Sequence, residues 1–194
     1  MKLKICTFIS FIAVAMSLWA KSEIKRPDTY AYTRGVEAYV EENYADAIDW
    51  FNRELKEHPD NGYAYVYISI LRYGNQEYGK ALTAIDNALK RLPKKDKEWH
   101  STAYASRADI YAAMEDTVKA LNDLSQAIQI DPTNARFYRS RAQLYYEQKD
   151  YSLSDADYLK MIILDQGDVI LPSQRENHCH ILSSTCLWTW ISKI

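Results

Sequence analysis

The chain has 194 residues and a formal net charge of −2 at pH 7, from 24 basic and 26 acidic side chains. A mildly acidic protein lacks the basic surface that nucleic-acid binding requires. Its five glycines are scattered, so they cannot form a glycine-rich phosphate-binding loop. Composition therefore argues against a nucleic-acid-binding protein and against a protein built around a phosphate loop.

The amino terminus has the pattern of a secretory signal peptide, which we assign to residues 1–20. Lys2 and Lys4 precede an apolar stretch from Ile5 to Ala20. These sixteen residues are fewer than the roughly 20 that a membrane-spanning helix needs. An uncleaved membrane anchor is the alternative. We expect an exported protein of the bacterial periplasm or cell envelope, with residues 21–27 as a short linker.

Small residues recur along most of the remaining chain at a nearly constant interval. Glycine, serine or alanine stands at intervals of 34, 39 and 34 residues, and a second small residue follows each by 12. The first set is Gly35, Ser69, Ala108 and Ala142, and the second is Ala47, Ala81, Ala120 and Ser154. Small residues at this spacing let the two helices of a hairpin approach closely.

Each unit has further helix signals. In the first unit, Tyr32, Val36 and Tyr39 have the i, i+4, i+7 spacing of an amphipathic helix. The polar triplet Glu42–Tyr44 then predicts the turn of the hairpin, with counterparts at 76–78, 115–117 and 149–151. The second helix of the first three units ends at a proline, and these are Pro59, Pro93 and Pro132.

This pattern resembles the tetratricopeptide repeat, a helix-turn-helix unit of 34 residues that stacks in series. An apolar residue four positions after the second small residue completes the resemblance, at Phe51, Ile85, Leu124 and Tyr158. The resemblance covers residues 28–168 and implies an all-α fold, a right-handed superhelical solenoid of antiparallel helix hairpins. The implied repeats are 28–61, 62–95, 101–134 and 135–168. The longer interval of 39 predicts a longer connection near Lys94–His100.

The resemblance implies that a partner polypeptide binds in a concave groove lined by the first helix of each unit. The groove positions carried over to this sequence are Tyr32, Val36, Tyr39, Tyr63, Val66, Ile70, Tyr73, Arg136, Arg139, Gln143 and Tyr146. The early positions are aromatic or aliphatic and the late ones include two arginines, which suits a peptide with an apolar portion and an acidic end. The alternative is that the tyrosines pack on neighbouring helices.

The groove lacks one set of residues that some members of the family use. Chaperone-binding members grip a terminal carboxylate with lysines and asparagines, and the corresponding slots here hold Tyr32, Val36, Val66 and Ile70. We therefore do not expect a heat-shock chaperone adaptor.

The sequence offers no catalytic constellation. His58 and His100 lie near predicted helix ends without a nucleophilic cysteine or serine, and Asp155 and Asp157 fall on helix faces. We expect a protein that is not an enzyme and that carries no cofactor.

The repeat pattern is lost in an irregular tail, 169–194. His178–His180 and Cys186 could ligate zinc, but their spacing matches no metal motif, and no metal site is predicted. A disulfide between Cys179 and Cys186 is another possibility in an exported chain. A terminal cap, an interface segment and a change of reading frame near Val169–Leu171 are further interpretations. The apolar residues of the tail are Ile181, Leu182, Leu187, Trp188, Trp190 and Ile191.

The sequence thus predicts an exported scaffold for protein–protein interaction, with a protein or peptide partner, no nucleic acid, and membrane contact only through an uncleaved signal segment. The alternative is a recognition subunit, or a truncated fragment, of a larger envelope enzyme or secretion complex. A third hypothesis is a spacer that self-associates.

Overall fold

The computed structural model describes residues 24–165, which form eight α-helices and no strand. They are α1 Tyr30–Val40, α2 Tyr44–Glu57, α3 Gly62–Gly74, α4 Tyr78–Arg91, α5 Lys97–Ala113, α6 Thr117–Ile130, α7 Ala135–Glu147 and α8 Tyr151–Leu164. The predicted all-α class is confirmed over these residues. None of the described helices has the length and apolarity to cross a bilayer.

Successive helices pack as hairpins, and each predicted repeat contains one pair. Helix α1 packs on α2, α3 packs on α4, and α7 packs on α8. Helices α5 and α6 are joined by a side-chain hydrogen bond. The chain divides into two compact units between His100 and Ser101. Unit 1 comprises residues 24–100 and unit 2 comprises residues 101–165 of the described chain.

The recurring small residues lie where the helices of a hairpin cross. Ala47, Ala81 and Ala120 are completely buried. A Cβ added at Gly35 would come within 2.7 Å of the Phe51 ring, so the close approach of α1 and α2 requires glycine there. At the same repeat position, the buried Ser69 hydroxyl donates a hydrogen bond to the carbonyl of Ala81 (2.9 Å). The short distance between the two helices of a hairpin therefore limits these positions to small residues.

The four hairpin turns share one backbone conformation. The first residue of each polar triplet has a positive φ: 61° at Glu42, 62° at Gln76, 62° at Glu115 and 66° at Lys149. This left-handed residue ends the first helix and lets the next amide bond back to a helix carbonyl, as Glu77 does to Arg72 (2.9 Å). A tyrosine pair then closes three of the turns, at Tyr39–Tyr44, Tyr73–Tyr78 and Tyr146–Tyr151.

The prediction of a longer connection over Lys94–His100 is wrong for its second half. Helix α5 begins at Lys97, so four of these residues lengthen a helix. The physical reason is the N-cap at Asp96, whose carboxylate accepts a hydrogen bond from the Trp99 amide (3.3 Å).

Candidate partner-binding surfaces

An aromatic layer formed by α1, α2, α3 and the start of α5 dominates unit 1. Tyr67 is its centre, because its ring contacts those of Tyr32, Tyr39, Phe51 and Trp99 at centroid distances of 6.1, 5.2, 4.8 and 5.6 Å. The Phe51 and Tyr67 rings are stacked at 9°, and the Tyr32 and Tyr39 rings meet Tyr67 edge-on. Aromatic pairs in such arrangements contribute beyond the area that they bury. The layer therefore joins α1 and α3 to α2 and to the start of α5.

The predicted groove residues of unit 1 fall into two groups by exposure. Tyr32, Tyr63 and Val66 are buried, so these three pack inside the unit. Val36, Tyr39 and Ile70 are half-buried, and Tyr73 is exposed at the end of α3. The second group is the part of the predicted set that offers surface to another molecule.

Tyr63 is anchored by a polar network at one edge of the aromatic layer. Its hydroxyl donates a hydrogen bond to the buried carboxylate of Asp96 (2.9 Å). Burial and this hydrogen bond raise the pKa of Tyr63 to about 12. Arg26 lies 3.8 Å from Asp96 and also pairs with Glu98. The network fixes residues preceding α1 against the start of α5.

Glu54 is a buried carboxylate that joins the N-caps of two helices in unit 1. It accepts hydrogen bonds from the Thr29 hydroxyl (2.6 Å) and from the Asn61 amide (2.8 Å). Thr29 caps α1 and Asn61 caps α3. The other repeats have alanine or methionine here, so this charge belongs to one particular junction between hairpins.

The predicted residues of unit 2 lie on α7 and are exposed and polar. Arg136 forms a long ion pair with Asp109 of α5 (3.6 Å). Burial raises the pKa of Asp109, and the positive charge of Arg136 lowers it by a smaller amount. Gln143 donates to Glu147 (2.9 Å) and accepts from the Tyr158 hydroxyl (3.3 Å). These contacts involve Arg136 and Gln143, two of the predicted binding residues of α7.

Two further predicted residues of α7 are exposed. Arg139 is solvent-accessible, and the ring of Tyr146 is 42% exposed beside Tyr151. Unit 2 therefore offers a cation and an aromatic ring on the helix that carries the predicted binding residues.

The sequence reasoning missed Tyr67 and Trp99 as parts of the first surface. Tyr67 does not occupy a groove position of the repeat, and Trp99 lies outside the repeat register altogether. The run of tyrosines at 63, 65 and 67 was the available signal, but alternate tyrosines on a helix point in different directions.

The described residues offer no cluster of metal-ligating side chains. No group of three or more His, Cys, Asp or Glu side chains between residues 24 and 165 is placed to hold a metal ion. His100 lies 3.3 Å from the carbonyl of Leu92 through Nε2, which is a structural contact. The predicted signal peptide, residues 1–20, and the cysteines and histidines of the tail lie outside the described residues.

Known proteins resemble this chain in both sequence and structure. A family model described as a TPR repeat matches residues 108–149. The DnaJ homolog subfamily C member 7 homolog of Dictyostelium discoideum is 28% identical over 155 residues, which cover 74% of this chain and 29% of that protein. Tetratricopeptide repeat protein 13 of Homo sapiens is 32% identical over 133 residues, covering 66% and 15%. The chain thus matches less than a third of the length of either relative.

Solved structures share the fold at low sequence identity. A MamA fragment (41-end) from Desulfovibrio magneticus RS-1 has a TM-score of 0.63 at 17% identity, covering 72% of this chain and 76% of that one. A thermophilic TPR protein of Thermus thermophilus has a TM-score of 0.60 at 20% identity, covering 70% and 73%. The first TPR of Spaghetti, solved with an HSP90 peptide, has a TM-score of 0.56 at 14% identity, covering 61% and 90%.

Tetratricopeptide-repeat proteins generally mediate protein–protein interactions and are typically non-catalytic. The repeat register, the hairpins and these likenesses together support the tetratricopeptide-repeat family for this chain.

Proposed function

We propose that this protein is a non-enzymatic, exported scaffold that binds a partner polypeptide through the first helices of its hairpins. One observation carries the proposal: on the first helices of unit 1, Tyr39 and Ile70 are half-buried and Tyr73 is exposed, and the Tyr39 ring packs against Tyr67 of the aromatic layer. Partly exposed aromatic side chains that pack against other rings bind a partner at low entropic cost, because that packing already restricts their rotamers.

Each unit fits a polypeptide segment of its own chemistry, an apolar segment for unit 1 and an acidic one for unit 2. Unit 1 offers aromatic and aliphatic side chains, and unit 2 offers Arg139 and Tyr146 on α7. The Spaghetti structure contains an HSP90 peptide that ends in glutamate, valine and aspartate. Tyr32 and Val66 are buried here, so they leave no open cationic slot for such a terminus. An apolar side chain is therefore the better ligand for unit 1.

Site-specific photo-crosslinking tests this proposal in the intact protein. A benzoylphenylalanine replaces Tyr73 or Ile70, which lie on the proposed surface, and Thr83 on the exposed side of α4 serves as the matched control. We expect the first two positions to crosslink one common polypeptide from an envelope extract, and Thr83 to leave it unlabelled. Equal labelling from all three positions would contradict the proposed surface. The HSP90 peptide serves as a ligand that should not compete.

Export rests on the amino-terminal pattern and has its own test. The full chain is produced in a bacterial host, and the mature protein is located by fractionation and weighed by mass spectrometry. We expect an envelope fraction in which residues 1–20 have been removed. A chain of full mass in the cytosolic fraction would overturn export and leave the binding proposal standing.

The alternative is that the chain is the recognition part of a larger enzyme or secretion complex. The greater length of the curated relatives favours it. Native mass spectrometry distinguishes the two hypotheses, because a stable complex with catalytic activity that the purified chain lacks is expected only under this second one.

A further inference from the structure

Helix α8 is apolar on a face where the other second helices are polar. Three positions of the repeat show this difference. Counted from the second small residue of each unit, they lie one residue before it, five residues after it and nine residues after it. They hold Asp46, Asn52 and Lys56 in α2, Lys80, Asp86 and Lys90 in α4, and Lys119, Ser125 and Gln129 in α6. In α8 they hold Leu153, Leu159 and Ile163, which are 49%, 57% and 51% exposed. Ala156, also exposed, completes the stripe.

The adjoining face of α8 is also less covered than its counterpart in α6. Leu124 and Ala127 of α6 are 1% and 0% exposed and belong to the same cluster as Phe137 of α7. At the same repeat positions of α8, Tyr158 and Met161 are only half-buried. A helix with apolar side chains around most of its circumference is typical of a helix covered by other protein.

We propose that the apolar part of this chain's own tail, residues 181–191, docks on the exposed stripe of α8. The tail contributes six large apolar side chains within these eleven residues, including Trp188 and Trp190. The segment 166–180 spans up to about 50 Å when extended. Helix α8, with 14 residues, is about 21 Å long. The tail can therefore reach any point of the stripe.

Covalent attachment favours the tail over a second copy of the chain. A segment joined to α8 through only residues 166–180 has an effective concentration of the order of millimolar. A stripe of four side chains is small compared with the roughly 800 Å² per partner that a stable dimer buries. The docked tail would turn the indole rings of Trp188 and Trp190 away from solvent.

Fluorine NMR of the full chain labelled with fluorotryptophan tests the docking. The variants Trp188→Phe and Trp190→Phe assign the two tail resonances, and a soluble paramagnetic agent broadens those that solvent reaches. We expect both tail resonances to be protected in the wild type. The variant Leu153→Lys, Leu159→Ser, Ile163→Gln, which copies the residues of α6, should increase their broadening severalfold. Val118→Ser, at an exposed apolar site of α6, is the matched control and should leave them protected.

Four results would overturn the proposal. The stripe does not hold the tail if the paramagnetic agent broadens the tail resonances as much as in the urea-unfolded chain. The same conclusion follows if the triple variant leaves their broadening unchanged. Protection that rises with protein concentration together with a dimeric mass would assign the stripe to a second copy. If the triple variant loses its helical circular dichroism, the double variant Leu187→Ser, Ile191→Ser is used in its place. We then expect faster hydrogen exchange in residues 151–164. Unchanged exchange in that variant would also reject the docking.

Discussion

Arg107 of α5 donates two hydrogen bonds to the carboxylate of Asp123 in α6, from Nε at 2.7 Å and from a terminal nitrogen at 2.8 Å. Arg141 and Asp157 repeat this geometry 34 residues later with the same two distances, and these hydrogen bonds raise the pKa of Arg141. Each pair joins the two helices of one hairpin. A bidentate pair of this kind fixes the orientation of both side chains.

The second hairpin has no charged pair at the equivalent positions, which hold the buried residues Ile68 and Ala84. We therefore predict that Arg107→Ile alone lowers the free energy of unfolding by about 3 kcal/mol, because it leaves the buried Asp123 unpaired. The double variant Arg107→Ile, Asp123→Ala should recover most of this loss. Urea unfolding followed by circular dichroism measures both. A double variant as unstable as the sum of the two single ones would contradict the prediction.

The positive φ at the hairpin turns predicts a stabilising glycine. Gln76 has a φ of 62°, a conformation that costs side-chain-bearing residues about 1 kcal/mol relative to glycine. Gln76→Gly should therefore raise the free energy of unfolding by up to that amount. The neighbouring Asn75 has a φ of −80°, so Asn75→Gly is the control and should be destabilising. Thermal unfolding of both variants is the measurement, and equal effects would reject the backbone explanation.

Two helical glycines should respond to alanine in opposite directions. Gly79 has no atom within 4 Å of an added Cβ, whereas Gly35 faces the Phe51 ring at 2.7 Å. Gly79→Ala should stabilise α4 by about 1 kcal/mol, because alanine restricts the unfolded chain more than glycine does. Gly35→Ala should destabilise by about 1–3 kcal/mol through overpacking. Midpoints of urea unfolding report both signs, and a stabilising Gly35→Ala would show that Phe51 moves freely.

We predict that the carboxylate of Glu54 stabilises the fold, although the other repeats have no carboxylate at this position. Glu54→Ala leaves the Thr29 hydroxyl and the Asn61 amide without their acceptor, and we expect a loss of about 2 kcal/mol. Glu57→Ala, at an exposed site of the same helix, should stay within about 0.5 kcal/mol of wild type. Chemical denaturation compares the two. A neutral Glu54→Ala would mean that water replaces the carboxylate.

Alkaline pH should weaken unit 1 through Tyr63. An unfolded tyrosine has a pKa of about 10, and the folded pKa of Tyr63 is about 12. Between these values the unfolded state releases a proton that the folded state retains, so the free energy of unfolding falls as pH rises through this window. Below it the contribution is constant.

Tyr63→Phe removes this proton, so urea midpoints measured from neutral pH upward should fall less steeply above pH 10 in the variant. Tyr30→Phe, at a ring that is 72% exposed, is the control and should keep the wild-type slope. Identical slopes for wild type and Tyr63→Phe would contradict the prediction.

Sequence reasoning identified the positions set by a repeating local constraint. Gly35, Ala47 and Ala81 could be recognised because close helix crossing excludes large side chains in every unit. It did not identify Tyr67 as the centre of the aromatic layer, since that role depends on rings from α1, α2 and α5. It also placed Lys97–His100 in a connection, where the cap at Asp96 starts a helix instead.

The sequence by itself determined the helical hairpin, its period and its turns, because each follows from side-chain size and backbone preference within one unit. Tertiary structure decided which tyrosines are buried and which are exposed, which arginines pair with a carboxylate, and which side of α8 the described residues leave exposed. The physical reason is that burial depends on side chains from several helices at once, and the periodicity of one helix does not specify its neighbours.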